Sequence, residues 1–181
     1  MPYTDPYIFT SARLGFRNWR ADDLDAMAAI NGDEQVMEFF PGVQDRERTA
    51  AFIQRMQQQY ADKGFCYFAV DKLEDGQFIG FTGLCEQTYP APFTPCVDIG
   101  WRISAKEWNK GYASEAAIRC LQFAFETLQL KTVYAVAPLV NTKSQRIMQK
   151  AGMCFQYEFE HPLLQDQERL KPCAVYRTQQ R

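Results

Sequence analysis

The sequence predicts an α/β (α+β) fold: one mixed sheet of six to seven strands with about four helices over its two faces. Three observations predict it. Segments that are β-branched, aromatic and bounded by turn residues occur in both halves of the chain. Two of them, at 96–103 and 132–137, each lead into apolar residues at helical spacing, giving two successive β–α units in the middle of a strand-rich chain. No linker, low-complexity tract or repeat divides the 181 residues, and their 46% hydrophobic content suits one core, so residues 1–181 read as a single domain.

In chain order, a strand is expected at 8–17, then helices at 22–31 and 45–62. The second helix carries Ala51, Phe52, Arg55, Met56 and Tyr60 at helical spacing. Strands at 65–71 and 77–86 flank Glu74-Asp75-Gly76, a hairpin signal. A mostly buried strand at 96–103 precedes Trp108-Asn109-Lys110-Gly111-Tyr112-Ala113-Ser114, and a helix over 111–128 follows. That helix presents Ala113, Ala116, Ala117, Cys120 and Ala124 on one narrow face, so it can lie close to the sheet. A strand at 132–137, a helix at 142–151 and strands at 154–160 and 173–178 complete the set.

The turn between the strand at 96–103 and its helix suits an anion. A helix start offers unpaired N–H groups and the positive end of the macrodipole, and Gly111 lets the backbone come close. Asn109 is also a candidate helix cap, and Lys110 is either a phosphate partner or a solvated surface lysine. A second helix opens at Asn141-Thr142-Lys143-Ser144 and ends in Lys150-Ala151-Gly152. Ser144, Ile147, Met148 and Ala151 share its inward face.

Together these two elements resemble the acetyl-coenzyme A site of the Gcn5-related N-acetyltransferase (GNAT) superfamily. The resemblance is closest to the branch that includes the RimJ/RimL-type ribosomal-protein alanine N-acetyltransferases. Ser11-Ala12-Arg13-Leu14-Gly15-Phe16-Arg17-Asn18-Trp19, Val36-Met37-Glu38-Phe39-Phe40-Pro41-Gly42 and Phe78-Ile79-Gly80-Phe81-Thr82-Gly83-Leu84 also fit that branch. The superfamily pattern Gln/Arg-x-x-Gly-x-Gly/Ala begins here with Trp108, an aromatic common in the branch.

The resemblance implies a mostly antiparallel sheet and direct transfer of acetyl from acetyl-coenzyme A to a primary amine, either a protein N-terminus or a small molecule. It implies that backbone groups of Trp101, Arg102 and Ile103 hold the pantetheine arm and that one near Ile103 polarises the thioester carbonyl. Backbone N–H groups of Asn109, Lys110, Gly111, Tyr112, Ala113 and Ser114 then hold the pyrophosphate. Ser144 protonates the leaving thiolate, or is a small packing residue; Asn141 orients the cofactor arm, or caps its helix. The base is a carboxylate among Glu86, Asp98, Glu38 and Glu160, with Glu86 and Asp98 preferred because both lie on strands bordering the amine. Asp98 reads equally as a solvent-facing strand residue. His161 beside Pro162 is a further candidate for substrate contact, though a lone histidine is more often structural. The proline- and aromatic-rich stretch 88–95, with Glu38 to Gly42, is expected to shape an acceptor pocket more apolar than charged.

A net charge of −2 supplies no basic field for nucleic acid, and no run approaches a membrane span or a leader peptide, which gives a soluble, cytoplasmic expectation as monomer or homodimer. Six scattered cysteines without a Cys-x-x-Cys pair, and one histidine, point away from zinc and toward buried free thiols. The dinucleotide, P-loop and serine-hydrolase motifs are absent. The competing reading is a non-catalytic acyl-coenzyme A-binding sensory module, which keeps the cradle but lacks a productive base.

Overall fold

The structure, a computed structural model, describes residues 6–179. Most of the N-terminal segment read above for a leader pattern lies outside the described residues.

Eight strands form one sheet in the order β1-β2-β3-β4-β5-β6-β8-β7. They are β1 (Phe9–Thr10), β2 (Leu14–Arg17), β3 (Tyr67–Lys72), β4 (Phe78–Gln87), β5 (Cys96–Ile103), β6 (Thr132–Pro138), β7 (Cys154–Glu160) and β8 (Pro172–Gln179). All neighbours are antiparallel except β5 and β6. The helices are α1 (Asp23–Asn31), α2 (Arg46–Lys63), α3 (Tyr112–Gln122) and α4 (Thr142–Lys150).

The count of strands exceeds the expected six to seven because the stretch 8–17 is a tight hairpin, with Phe9 opposite Phe16 and Thr10 opposite Gly15. Ser11 closes its turn: its main-chain N–H donates to the Leu14 carbonyl (2.8 Å) and its hydroxyl accepts from Leu14 N–H (3.1 Å). Local polar chemistry at the turn overrides a continuous hydrophobic run.

Adjacent residues of β3 show how the two faces are covered. Tyr67 stacks on Phe81 (5.3 Å between ring centroids), which meets Phe52 of α2 at 5.2 Å. Phe68, pointing the other way, meets Phe9 (5.2 Å) and Phe123 (5.8 Å) on the α3 side. Ala116, Ala117, Cys120 and Ala124 are fully buried, so α3 sits close on the sheet, with Ala113 half-buried at its start. The expected helix over 111–128 changes character at its end. Residues Phe123–Thr127 form a π turn, in which Leu128 N–H reaches back to the Phe123 carbonyl (3.1 Å) while Phe123 stays buried in the aromatic stack.

Arg17 ties the first helix to the sheet. Its guanidinium donates to both oxygens of Asp23 at the start of α1 (2.8 Å each) and both of Asp71 on β3 (2.7 and 2.8 Å), and all three side chains are about 4% exposed. A second tie runs from the β1–β2 turn to α3. Ser11 Oγ, Arg13 N and Arg13 Nε all donate to the Glu115 carboxylate, and Arg13 Nη1 donates to the Lys110 carbonyl (3.1 Å). The six cysteines are free: Cys66, Cys120 and Cys173 are buried, Cys85 and Cys96 half-buried, and Cys154 exposed.

Replacing Arg17 with Met strands two buried carboxylates and is expected to destabilise the fold by about 3–5 kcal/mol in urea unfolding at neutral pH. Arg46→Met removes only an exposed pair with Asp25 and should leave the midpoint unchanged. Equal effects in the two variants would show that the Arg17 network does not hold α1.

Candidate functional site

β5 and β6 are parallel neighbours, yet their pairing is confined to Asp98 opposite Tyr134. β5 remains laddered to β4 along its whole length, from Cys96 opposite Gln87 to Ile103 opposite Gly80. The phase of that ladder is fixed by Ser104 N–H, which donates to the Ile79 carbonyl (2.9 Å). Even-numbered residues of β5 therefore bond to β4, while the odd-numbered Trp101 and Ile103 turn their main-chain groups toward the β6 side, where no strand lies against them. Ile103 C=O is taken by the indole N–H of Trp108 (2.9 Å). Of the three backbone positions expected to face a ligand, Trp101 and Ile103 turn theirs toward this gap. Arg102 spends its main chain on β4 and contributes its side chain instead.

The gap opens into a cavity of about 540 Å³ that reaches the start of α3. Trp101, Arg102, Ile103, Asn109, Gly111, Tyr112, Ala113, Ser114, Asn141 and Ser144 all line it. Asn109 (φ 61°) and Gly111 (φ 84°) are both left-handed, and Gly111, rather than Asn109, is the helix cap residue. It brings no side-chain cap, so the first amides of α3 face the cavity without an intrahelical partner. The Lys110 side chain pairs with Glu107 at 2.8 Å and, unlike Asn109 and Gly111, is not part of the cavity wall. The positive charge there comes from α4, where Lys143, Arg146 and Lys150 line the same wall, with Lys143 resting 4.9 Å from the Trp108 ring centre. That stripe at i, i+3 and i+7 is legible in the sequence and was missed there.

Asn141 does cap α4, accepting from Ser144 N–H (3.1 Å), and also lines the cavity. The Ser144 hydroxyl is half-buried at the rim and makes no hydrogen bond among the described residues.

A second cavity, of about 480 Å³, shares Phe39, Phe40, Trp101, Arg102, Asn141 and Ser144 with the first, so the two adjoin and together make up one cleft. Asp98 lies in its wall. The Tyr67 hydroxyl donates to Asp98 Oδ1 (2.7 Å) and Gln87 Nε2 to Oδ2 (3.1 Å). Burial pushes the Asp98 carboxyl up to about 6, against those two hydrogen bonds, which favour its charged form. Burial, and then the neighbouring Asp98 charge, hold the Tyr67 phenol well above its ordinary value, so it remains a donor. Gly100 lets this pair form, because a Cβ there would meet the Tyr67 ring at 3.1 Å.

The other candidate carboxylates lie elsewhere. Glu86 is half exposed and pairs with Lys63 (3.2 Å), and Glu38 pairs with Arg169 (3.4 Å). Glu160 is exposed on β7, and none of the three lines either cavity. His161 does line the second cavity, against Tyr89 (4.5 Å between centroids); burial lowers its pKa, and its Nδ1 accepts from Leu163 N–H. Cys173 lies in the same wall, donating to the Leu170 carbonyl, with its thiol pushed up to about 12 by burial. Among the described residues no His, Cys, Asp and Glu cluster could hold a metal, and no helix is long and apolar enough to cross a membrane.

The Acetyltransferase (GNAT) domain family matches residues 13–154, a span that contains β5, the turn before α3, and α4. The Uncharacterized N-acetyltransferase YnaD of Bacillus subtilis (strain 168) is 30% identical over 145 residues, covering 80% of this chain and 81% of its own. Among solved structures, a GNAT-family acetyltransferase from Bacillus anthracis superposes with a TM-score of 0.80 at 26% identity, covering 94% of this chain and 96% of the other. Spermidine N-acetyltransferase from Vibrio cholerae, in complex with CoA and spermine, shares the fold with a TM-score of 0.73 at 18% identity, covering 92% of this chain and 95% of its own. With its mixed sheet opened between β5 and β6 and a capless helix start at the end of the opening, the chain belongs to the GNAT acetyltransferase family and is an acyltransferase.

Proposed function

We propose that this chain, acting as a single domain, transfers acetyl from acetyl-coenzyme A to a primary amine by direct attack through a tetrahedral intermediate. The observation that carries the reading is the placement of Asp98. Of the four candidate carboxylates it alone lines the cleft, whose adjoining cavity reaches the start of α3. The residues present fit the donor. The open edge at Trp101 and Ile103 suits an extended amide-bearing arm. The first amides of α3, with Lys143, Arg146 and Lys150, suit its phosphates. When bound, the donor supplies an activated acetyl group as a thioester.

Asp98 then takes the proton that an ammonium acceptor must lose; at neutral pH a carboxyl near 6 is ionised but still a competent base. Tyr67 and Gln87 hold it in place. Ser144, at the junction of the two cavities with its hydroxyl unengaged, donates a proton to the departing sulfur. Motif order and Trp108 at the head of the phosphate turn support placement in the RimJ/RimL-type branch.

Thermal unfolding with acetyl-coenzyme A at about 100 times its Kd should show roughly 2.7 kcal/mol of stabilisation, a Tm rise of about 5–11 °C, with no comparable rise from ATP or NAD. Absence of the rise at millimolar ligand would remove the donor assignment. Asp98→Asn should lower kcat/KM at least ~100-fold and abolish the acid limb of the pH profile near pH 6. Its effect on stability has the opposite sign. The folded state holds the Asp98 proton more tightly than the unfolded chain, so the native carboxylate destabilises the fold progressively as pH rises from about 4 to about 6. The variant should thus melt higher than wild type at pH 7.5, whereas a purely structural Asp98 would give a variant that melts lower. Ser144→Ala should reduce kcat about 10- to 100-fold with little change in acetyl-coenzyme A affinity; an unchanged kcat would release Ser144 from the proton transfer.

A further inference from the structure

We infer that the acceptor amine is a small molecule that also bears a carboxylate, and that Arg102 receives that carboxylate. This deepens the acetyl-transfer reading and rests on it.

Arg102 is 9% exposed and lines both halves of the cleft. A guanidinium carries five N–H donors. Here one of them is placed, from Nη1 to Asn31 Oδ1 at 2.6 Å. Nε is buried with no hydrogen-bond partner, and among the described residues no ion pair includes Arg102. The ring centres of Phe40 (4.2 Å) and Phe81 (5.3 Å) lie against the group, and the N–H donors left over project in its plane. A carboxylate approaches a guanidinium in that plane. Burial lowers the Arg102 pKa to about 10, which still leaves it charged at neutral pH.

The fold contains its own control. Arg17 is buried to a similar depth and is matched by two carboxylates through four hydrogen bonds. A cation buried for structure is therefore fully paired in this molecule, and Arg102 is not. Arg102 borders the cavity that holds Asp98, and the two residues lie on one face of β5, roughly 13 Å apart along the strand. One end of the pocket thus suits an ammonium and the other an anion, with Arg55 adding a second positive charge to the wall and Phe52, Tyr67 and Tyr89 an apolar lining. A cavity of about 480 Å³ has room for a small amino carboxylate, and the separation of Asp98 and Arg102 favours one whose amine lies several bonds from its carboxylate, as the side-chain amine of lysine does.

The test compares wild type, Arg102→Gln and Arg102→Lys by coenzyme A thiol release, using the twenty amino acids, their carboxamides, the matching decarboxylated amines, and O-phosphoethanolamine. The expected result is a kcat/KM at least ~50-fold higher for some amino carboxylates than for their carboxamides. That preference should be lost in Arg102→Gln through the carboxylate substrates alone, partly kept in Arg102→Lys, and accompanied by an unchanged KM for acetyl-coenzyme A. A merely structural Arg102 would lower carboxylates, amides and amines together, and this overturns the inference; so does a raised KM for acetyl-coenzyme A alone, or a wild-type preference for decarboxylated or phosphorylated amines. If thiol is released only with N-terminal peptides, the inference is overturned; if acetyl-coenzyme A binds but neither these amines nor such peptides release thiol, the transfer reading fails by itself. The pocket is then judged by Tm in the presence of coenzyme A: a rise with amino carboxylates that Arg102→Gln loses supports the assignment, and no rise overturns it.

Discussion

The site depends on one pair of residues that hold two parallel strands together and on their failure to pair further. Asp98 faces Tyr134; beyond them β5 keeps its partner on one side only. Unpaired main-chain groups are costly where water is excluded, which is why a buried strand normally finds a neighbour on each side. Here the Trp108 indole satisfies the Ile103 carbonyl and the rest of the edge is left facing a cleft. Both helix starts that border the cleft follow from this opening. β5 leads through the turn at Gly111 into α3, and β6 leads through Asn141 into α4, so the α3 amides and the Ser144 rim converge on the same space. Rigidity comes from outside the cleft. Glu115, gripped by Ser11 and Arg13, fixes the first turn of α3, and Arg13 also holds the carbonyl of Lys110.

Three charged groups in this fold illustrate different solutions to burial. Arg17 is neutralised in place and serves the architecture. Asp98 is hydrogen-bonded but not neutralised, and burial raises its proton affinity into the range useful for a base. Arg102 is neither neutralised nor fully hydrogen-bonded, and it lies against the Phe40 ring. The last two arrangements lower stability relative to paired groups, and both occur in the cleft, where strain of this kind has a use.

Much of the architecture was legible because it is written in local pattern. Helical spacing at Ala116, Ala117 and Cys120, and the Glu74-Asp75-Gly76 turn between β3 and β4, each depend on neighbours in sequence. The hairpin within 8–17 was not legible, since Ser11 closes a turn inside a run that reads as one strand. In the site, order singled out the motif residues around Gly111 and Ser144 and strand position singled out Asp98, and the fold brings Gly111, Ser144 and Asp98 to the walls of the cleft. What pattern cannot supply is the partner of a side chain across space. Glu86 looked as suitable as Asp98 until Lys63 was seen beside it, and Lys110 looked available until Glu107 was. Arg102 was valued for a main chain that the β4 ladder already uses, because the phase of that ladder follows from tertiary pairing.

Cys173 gives the cleft a property of another kind. A thioester that met a protein thiolate in such a cleft would undergo transthioesterification, in which the thiolate captures the acyl group and leaves the enzyme self-acylated. Only the thiolate attacks, and with the Cys173 thiol near 12 its thiolate fraction at neutral pH is on the order of one in 10⁵. Burial therefore makes this sulfur a chemically silent wall, so that the acyl group is left for the nitrogen nucleophile.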